Sequence, residues 1–568
     1  MIRRLALFTA LVLALTGCSA EEPPTAPPAA PDLIFLGGDI VTVDPETAGA
    51  EAVAVRNGLI LSVGAADELR ALADDDTQII DLAGGTLLPA FIDAHGHLTM
   101  VASTEAMVNL ASPPVGSINS MSDLQAALAE RRDAQPEGWI VGNGYDDSLL
   151  AEGRHPTRED LDAISTDRPI ALLHVSAHLG AANSRALELA GIGPDTPDPQ
   201  GGHIRRIAGT TEPNGVLEES AMFQVFAELP PPSPEQQLAQ LRNAQQTYAR
   251  HGITTAQDGF TQPASLAMLQ AAAERDGLII DVIAYPGAGS AVEIIGDTPV
   301  GTYRNRLKIG GVKMMLDGSP QGKTAYLSAP YHVPPENQTK DYRGYPAMPD
   351  DAVDAQVDQF YGLGWPIIAH ANGDSAAEQL INAVEKAGAA RPGSDRRTVM
   401  IHAQTVRDDQ LDRMGPLGMI PSFFVAHTFY WGDWHRDSVL GPERAYRISP
   451  AASAGRKGVT YTFHNDAPVV PPDVTRLIWS GVTRRSRSGD IIGPAERVSP
   501  MEAIKAVTIN AAYQAFEEDE KGSITPGKRA DLVILSENPL RVDPIAIKDI
   551  DVVQTFKDGE SIHQHTAP

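Results

Sequence analysis

The sequence contains a single cysteine, Cys18, in 568 residues. One thiol cannot close an internal disulfide or build a Cys-based zinc site, so any metal must be held by histidine and carboxylate, and 15 histidines are present. Basic residues are also scarce: 45 Lys and Arg stand against 73 Asp and Glu, a formal charge of −28. With a pI near 4.9 and no local run of Lys or Arg, the chain lacks the footprint that neutralises phosphates, which excludes nucleic acid as a partner. The apolar stretch Leu5–Leu15 is shorter than the roughly 20 residues a membrane-spanning helix needs. Phosphate cradles are absent too, because Gly84-Gly85 and Gly201-Gly202 lack the Lys and Ser/Thr of a nucleotide loop and read as turns. No Ser-His-Asp arrangement competes. What remains is a chain that is 42% hydrophobic and 21% charged, a composition that builds a large core rather than a disordered tail.

Residues 1–17 have a charged start (Arg3-Arg4), a short apolar region and small residues before a cut, the pattern of an export signal. Leu15-Thr16-Gly17-Cys18 resembles the bacterial lipobox, which implies cleavage before Cys18 and a lipid on its sulfur. Ser19 points to the periplasmic face of the outer membrane. Residues 18–31 contain EEPPTAPPAAP, which reads as an extended tether. Membrane contact is therefore expected only through the Cys18 anchor, since a body of charge −28 has no affinity of its own for anionic lipid.

From Asp32 onward, short β-like runs are punctuated by turns, with Asn57-Gly58 as a hairpin signal. Similar material returns in ADLVILSENP and DVVQTFKDG near the C-terminus. A β-rich start and finish around an alternating middle predict one small β-sandwich built from 32–89 and 523–563. Between 90 and 522, eight apolar runs (91–97, 252–260, 278–287, 307–319, 366–374, 398–404, 419–429 and 458–468) alternate with helical stretches, as a (β/α)8 TIM-type barrel requires. Ser233 and Pro234 open one such helix, with Leu238, Leu241 and Tyr248 at helical spacing. The interval 98–251 is too long for one crossover and must hold an inserted subdomain, whose GGHIRR and EPNGVLEES segments read as loops and turns.

His95-Gly96-His97 closes the first barrel run. Residues two apart on a strand share a face, so both imidazoles can reach one cation. His370, His402 and Asp466 each follow a separate apolar run, and in such a barrel those strand ends converge on the catalytic rim. Neutral imidazole and carboxylate suit zinc when thiolate is absent, and a site with an open position lowers the pKa of bound water to about 7. Asp466 is suited to orient that water and move its proton.

The segments LLPAFIDAHGHL, VKMMLDGSPQGKTA, HANGD, HAQ, HNDAPV and GSITPGKRADLVIL, in that order, resemble the amidohydrolase superfamily, and within it amidohydrolase family 3, which includes N-substituted formamide deformylase. The resemblance spans Asp32 to Gly559. It implies that His95 and His97 bind a first metal, His370 and His402 a second, and that Asp466 touches the first while acting as general base and acid. It also places Lys313 where relatives carry a bridging lysine carbamate. An unmodified lysine paired with Asp317 or another carboxylate is the alternative, and it favours a single metal; the residues leave both open.

Asp374 and Gln404 follow ligand histidines and are candidates either to orient them or to cap the next helix. His178 matches an inserted-domain motif of the family and is assigned either a structural or a substrate role. His464 places an imidazole beside Asp466 where many relatives have a smaller residue, which narrows specificity. Phe429, Tyr430, Trp431 and Trp434 crowd one segment in a chain that is 5% aromatic. They either receive an apolar substrate group or lock the loop onto the sandwich. The expected function is hydrolysis of a non-peptide carbon–nitrogen bond in a small molecule, using one or two divalent ions, zinc foremost. Deamination and ester hydrolysis use the same chemistry. A non-catalytic metal- or solute-binding lipoprotein is the remaining class, disfavoured because no ligand is missing.

Overall fold

A computed structural model describes residues 30–335 and 338–565; the signal and lipobox expectations at 1–17 and Cys18 lie outside them. Among the described residues no helix is long and apolar enough to cross a membrane.

Two small sheets draw on both ends of the chain. One has the order Leu59–Gly64, Ala52–Arg56, Leu33–Leu36, Gln78–Asp81. The other runs Asp39–Ile40, Thr86–Pro89, Leu532–Leu535, Val552–Lys557, Glu560–Gln564. Alternating apolar residues from both meet in one cluster around Phe35, Val53, Leu87, Leu532 and Phe556, with the Phe35 and Phe556 rings edge-on at 5.0 Å. Arg56 pairs with Leu59 across a two-residue turn in which Asn57 and Gly58 both have positive φ, at 50° and 75°. This left-handed pair is the reason for the Asn-Gly sequence.

The nine strands of the central region are β1 (Phe91–Ile92), β2 (Ile253–Thr261), β3 (Asp281–Pro286), β4 (Leu307–Ile309), β5 (Val312–Met315), β6 (Ile367–Ala371), β7 (Val399–His402), β8 (Ile420–Phe423) and β9 (Thr462–Phe463). They form two parallel arcs, β4-β3-β2-β1 and β5-β6-β7-β8-β9. The arcs meet through few backbone contacts: a bridge between Gly287 and Lys313 on one side, and on the other the His97 N–H donating to the Ala467 carbonyl at 2.8 Å and the Asp466 N–H donating to the His95 carbonyl at 3.2 Å. No continuous ladder closes the ring among the described residues, so the closed barrel expected from eight runs is observed as two arcs. The run 307–319 is split between them. Gly310-Gly311 is the break, where a Cβ on Gly311 would collide with the Pro366 carbonyl. Ile283, Ile368, Ile401 and Ile420 from both arcs bury against one another, each stabilising the fold by roughly 1.5–3 kcal/mol.

The helix Pro234–Arg250 starts as its sequence predicts, with the Ser233 hydroxyl accepting the Gln236 N–H and Leu241 and Tyr248 buried. Between β1 and β2 stands a six-stranded sheet of its own. Gly202–Arg206 and Pro213–Glu219, read from sequence as loops and turns, are paired antiparallel strands of this sheet. Their Gly and Pro content mimics turns, but Ile204, Val216 and Leu217 are buried while His203 points outward, and packing on one face decides the outcome.

Candidate metal centre

His95 and His97 follow β1, and Asp466 follows β9 across the seam between the arcs. The Asp466 Oδ1 lies 3.1 Å from His97 Nε2 and 3.5 Å from His95 Nε2, and the three ligand atoms lie within 4.8 Å of one another. That oxygen is buried and accepts no hydrogen bond. Burying a carboxylate oxygen is costly, the neighbouring imidazoles offset that cost, and a cation among the three atoms is the partner that fits this donor set. The His95 Nδ1 faces the Gln257 Oε1 at 3.4 Å, which places the proton on Nδ1 and turns the Nε2 lone pair toward Asp466 and Lys313. Gly96 and Gly259 have no room for side chains: a Cβ would collide with the Asp93 carboxylate at the first and with the His95 imidazole at the second.

His370, at the end of β6, and His402, at the end of β7, bring Nδ1 and Nε2 respectively to 3.0 Å. The chain of contacts continues from His402 Nδ1 to His464 Nε2 at 3.1 Å and from His464 Nδ1 to Ser422 Oγ at 2.8 Å. At the other end, His370 Nε2 faces both the Gly318 carbonyl at 3.0 Å and the Asn372 side-chain amide nitrogen at 3.1 Å. A serine hydroxyl either donates or accepts. With Ser422 donating, protons run toward Gly318 and no metal is required; with Ser422 accepting and His370 Nε2 donating to Gly318, the lone pairs of His402 Nε2 and His370 Nδ1 face each other as a cation's ligands would; with His370 Nε2 accepting from the Asn372 amide instead, its Nδ1–H donates to His402 Nε2 and no cation is required. The chain can therefore hold a cation without leaving any ring nitrogen unpaired.

Lys313, in β5, is 1% exposed, and its Nζ lies 2.9 Å from His95 Nε2. It makes no ion pair with Asp317, whose carboxylate instead accepts the N–H groups of Tyr326, Asn372 and Gly373 at 2.8–2.9 Å. Burial pushes the lysine down to about 7, against the pull of Asp466. Burial also drives His370 down to about 3 and His95 and His402 well below the imidazole range, so these groups are neutral, as ligands must be. For Asp466, burial opposes the charge, but the imidazoles of His402, His97 and His95 outweigh it and hold the carboxyl below the carboxylate range. His402 and Asp466 both have positive φ, at 73° and 55°, a backbone cost concentrated at the candidate ligands.

The flanking candidates divide. Asp374 accepts from the Ser328 backbone N–H at 2.8 Å and from Arg407 at 3.2 Å and does not reach His370; Gln404 lies against Ser449 rather than His402. His464 contacts His402 at 3.1 Å and Ser422 at 2.8 Å. His178, held by Glu219 at 3.0 Å, sets its ring 5.9 Å from that of His370, so the inserted sheet reaches the centre. The aromatic segment locks onto that insert and the rim, not onto the sandwich: Trp431 Nε1 donates to Asp146 at 2.8 Å, Trp434 Nε1 donates to the Gln321 carbonyl at 3.1 Å, and the Lys323 ammonium sits 4.7 Å from the Trp434 ring centre.

A second group, Asp147, His155 and His174, also clusters, but its hydrogen bonds argue against a metal. The Ser176 N–H donates to His174 Nδ1 at 3.1 Å, so the proton sits on Nε2 and is given to Asp147 at 3.0 Å. Gln257 and Ser422 were not singled out from the sequence. Each is a polar residue inside a buried strand run, which is the signal that marks them.

The centre defines a metal-dependent hydrolase on an α/β scaffold of the TIM-barrel type. A family profile described as amidohydrolase family matches residues 78–563. The chain therefore belongs to the amidohydrolase family, hydrolases of carbon–nitrogen bonds outside the peptide link. It is 28% identical to the N-substituted formamide deformylase of Arthrobacter pascens over 560 residues, covering 94% of this chain and 99% of that one. Among solved structures, an uncharacterized metal-dependent hydrolase from Pyrococcus furiosus aligns with TM-score 0.69 and 26% identity, over 90% of this chain and 100% of its own. A counterpart from Pyrococcus horikoshii OT3 aligns with TM-score 0.72 and 23% identity, over 90% and 99%.

Proposed function

We propose that the chain hydrolyses small N-acyl amines, N-substituted formamides included, at the centre formed by His95, His97, Lys313, His370, His402 and Asp466. The observation that carries this reading is the buried, unbonded Asp466 Oδ1 facing two imidazole nitrogens. A bound divalent ion, with zinc the best match to these donors, supplies Lewis acidity and acidifies water. His95 and His97 hold one position, and His370 and His402 a second. Lys313, buried and poised near neutrality, is suited to take up CO2 with loss of a proton as a carbamate, which would supply an anionic oxygen donor where the free lysine would present a cation. Asp466 accepts a proton from the attacking water on one side and delivers it to the departing nitrogen on the other.

In this reading the two arcs are a (β/α)8 barrel over 90–522, carrying the insert 98–251 and the composite sandwich of 32–89 and 523–563. Export and lipid attachment at Cys18, with the body in the periplasm, rest on the sequence of 1–31; a Cys18→Ser variant is expected in the soluble periplasmic fraction. The substrate reading is tested by assaying the purified body from Asp32 against N-formyl amines, N-acyl amino acids, cyclic ureides, aminopurines and aryl esters. Amide hydrolysis is the expected result, and turnover of esters or aminopurines alone would refute it.

A further inference from the structure

Between the insert and the rim beside the metal centre lies a cavity of about 60 Å³, with Val175, Trp431, Pro468 and Val470 among its apolar walls and Asp146 and Arg487 as its charged residues. It holds roughly four to six water-sized volumes, the space of a branched alkyl group. It is joined to the centre through the chain and through a relay of rings: Pro468 is two residues beyond Asp466, and the Trp431 ring lies 4.5 Å from that of His427, which packs at 4.4 Å on Phe424, the neighbour of His402 and His464.

Arg487 is the anomaly in this wall. In a chain with 73 acidic residues, it has no carboxylate within ion-pairing distance among the described residues. Its Nε donates to the Tyr430 carbonyl at 3.3 Å and its Nη1 to the Pro113 carbonyl, so the guanidinium is pinned from the rim and from the insert, with Nη2 uncommitted. Its planar face lies 5.5 Å from the Tyr430 ring centre. Asp146, the one carboxylate in the lining, is already satisfied, because Oδ1 accepts from the Ser148 N–H and hydroxyl and Oδ2 from Trp431 Nε1. A partly buried guanidinium fixed in orientation and left without a counter-charge is built for an oxyanion, and its fork suits a carboxylate.

We propose that this cavity is the substrate's side-group subsite, and that the preferred substrates are N-acyl amines bearing both a compact apolar group, seated against Val175 and Val470, and a carboxylate, received by Arg487. This deepens the proposed function and rests on it for turnover, but not for binding. Two measurements separate the two. In the first, kcat/KM is compared for N-formyl-leucine and N-formyl-3-methylbutylamine, which differ by the carboxylate. The wild type should favour the former, and Arg487→Gln should collapse that ratio by about 10- to 100-fold, as loss of a charge-assisted hydrogen bond does, with Arg487→Lys keeping part of it. A ratio unchanged by Arg487→Gln overturns the proposal while leaving amide hydrolysis intact. In the second, calorimetric binding of 4-methylpentanoate needs no turnover. Binding lost in Arg487→Gln, and weakened by Val470→Phe, supports the subsite even if no amide is cleaved; absence of binding to the wild type, or equal binding to all three proteins, overturns it.

Discussion

The Nδ1 of His402 lies 3.1 Å from the Nε2 of His464, and the opposite nitrogen of His464 reaches the Ser422 hydroxyl at 2.8 Å. His464 thus decides which nitrogen of His402 carries the proton, and with it whether Nε2 offers a lone pair beside His370. Removing such a partner commonly costs about 10- to 100-fold in metal affinity. His464→Phe, which keeps the ring volume but not the acceptor, should weaken binding at the His370–His402 position by that factor in a chelator competition titration, with His95–His97 occupancy retained. Unaltered affinity at both positions would show that His464 is merely packing.

Gly259 presses its backbone against the His95 imidazole. A Cβ there would also come within 2.7 Å of His95 Nδ1, forcing the ring away from Asp466. Displacements near 1 Å at a reacting centre can cost about 100-fold in rate. Gly259→Ala should lower kcat by about that much and reduce metal retention after dialysis. Full activity in this variant would mean that His95 has more freedom than the packing allows.

Lys313 has no carboxylate partner among the described residues within ion-pair distance. If it bridges two ions, Lys313→Ala should lose one metal per chain and most of its activity, read by metal analysis and kcat together. Two metals with undiminished kcat in this variant would exclude a bridging role.

Two imidazoles outside the centre, the largely enclosed His155 and the fully buried His435, are each pushed down to about 3 by desolvation. Both remain neutral in the fold, while the unfolded chain protonates them near 6.5. As pH falls from about 6.5 toward 3, unfolding therefore takes up protons and stability declines, by about 1.4 kcal/mol per pH unit for each group; above 6.5 they contribute nothing. The His155→Gln/His435→Gln variant should show a shallower fall of Tm between pH 6.5 and 4 than the wild type. Identical slopes would contradict the burial argument.

The candidate ligands were legible because a metal site demands side chains of fixed type at strand ends, and His95, His97, His370, His402 and Asp466 each follow an apolar run that announces the strand. What supports them was harder to read. Gln257 and Ser422 sit inside those runs and look like ordinary strand residues until the fold shows which face they share with His95 and His464. The Gly310-Gly311 break was visible as composition, but only the crowding of Gly311 against Pro366 reveals that one run serves two arcs. The strands at 202–206 and 213–219 were masked by Gly and Pro, because the burial of Ile204 and Leu217 that fixes them is a tertiary effect. Trp431 drew attention as an aromatic, yet its partner, Asp146, lies 285 residues away, beyond any local pattern.

The central claim is that His95, His97 and Asp466 hold a divalent ion on which carbon–nitrogen bond hydrolysis depends. The most direct measurement is metal content per chain by mass spectrometry, made on the purified body from Asp32 and on its His95→Ala/His97→Ala variant, with N-formyl amine hydrolysis assayed on the same samples. The wild type should carry at least one divalent ion and turn over the amide, and the double variant should lose both. Equal metal in the two proteins, or amide hydrolysis that survives the double substitution, would contradict the account.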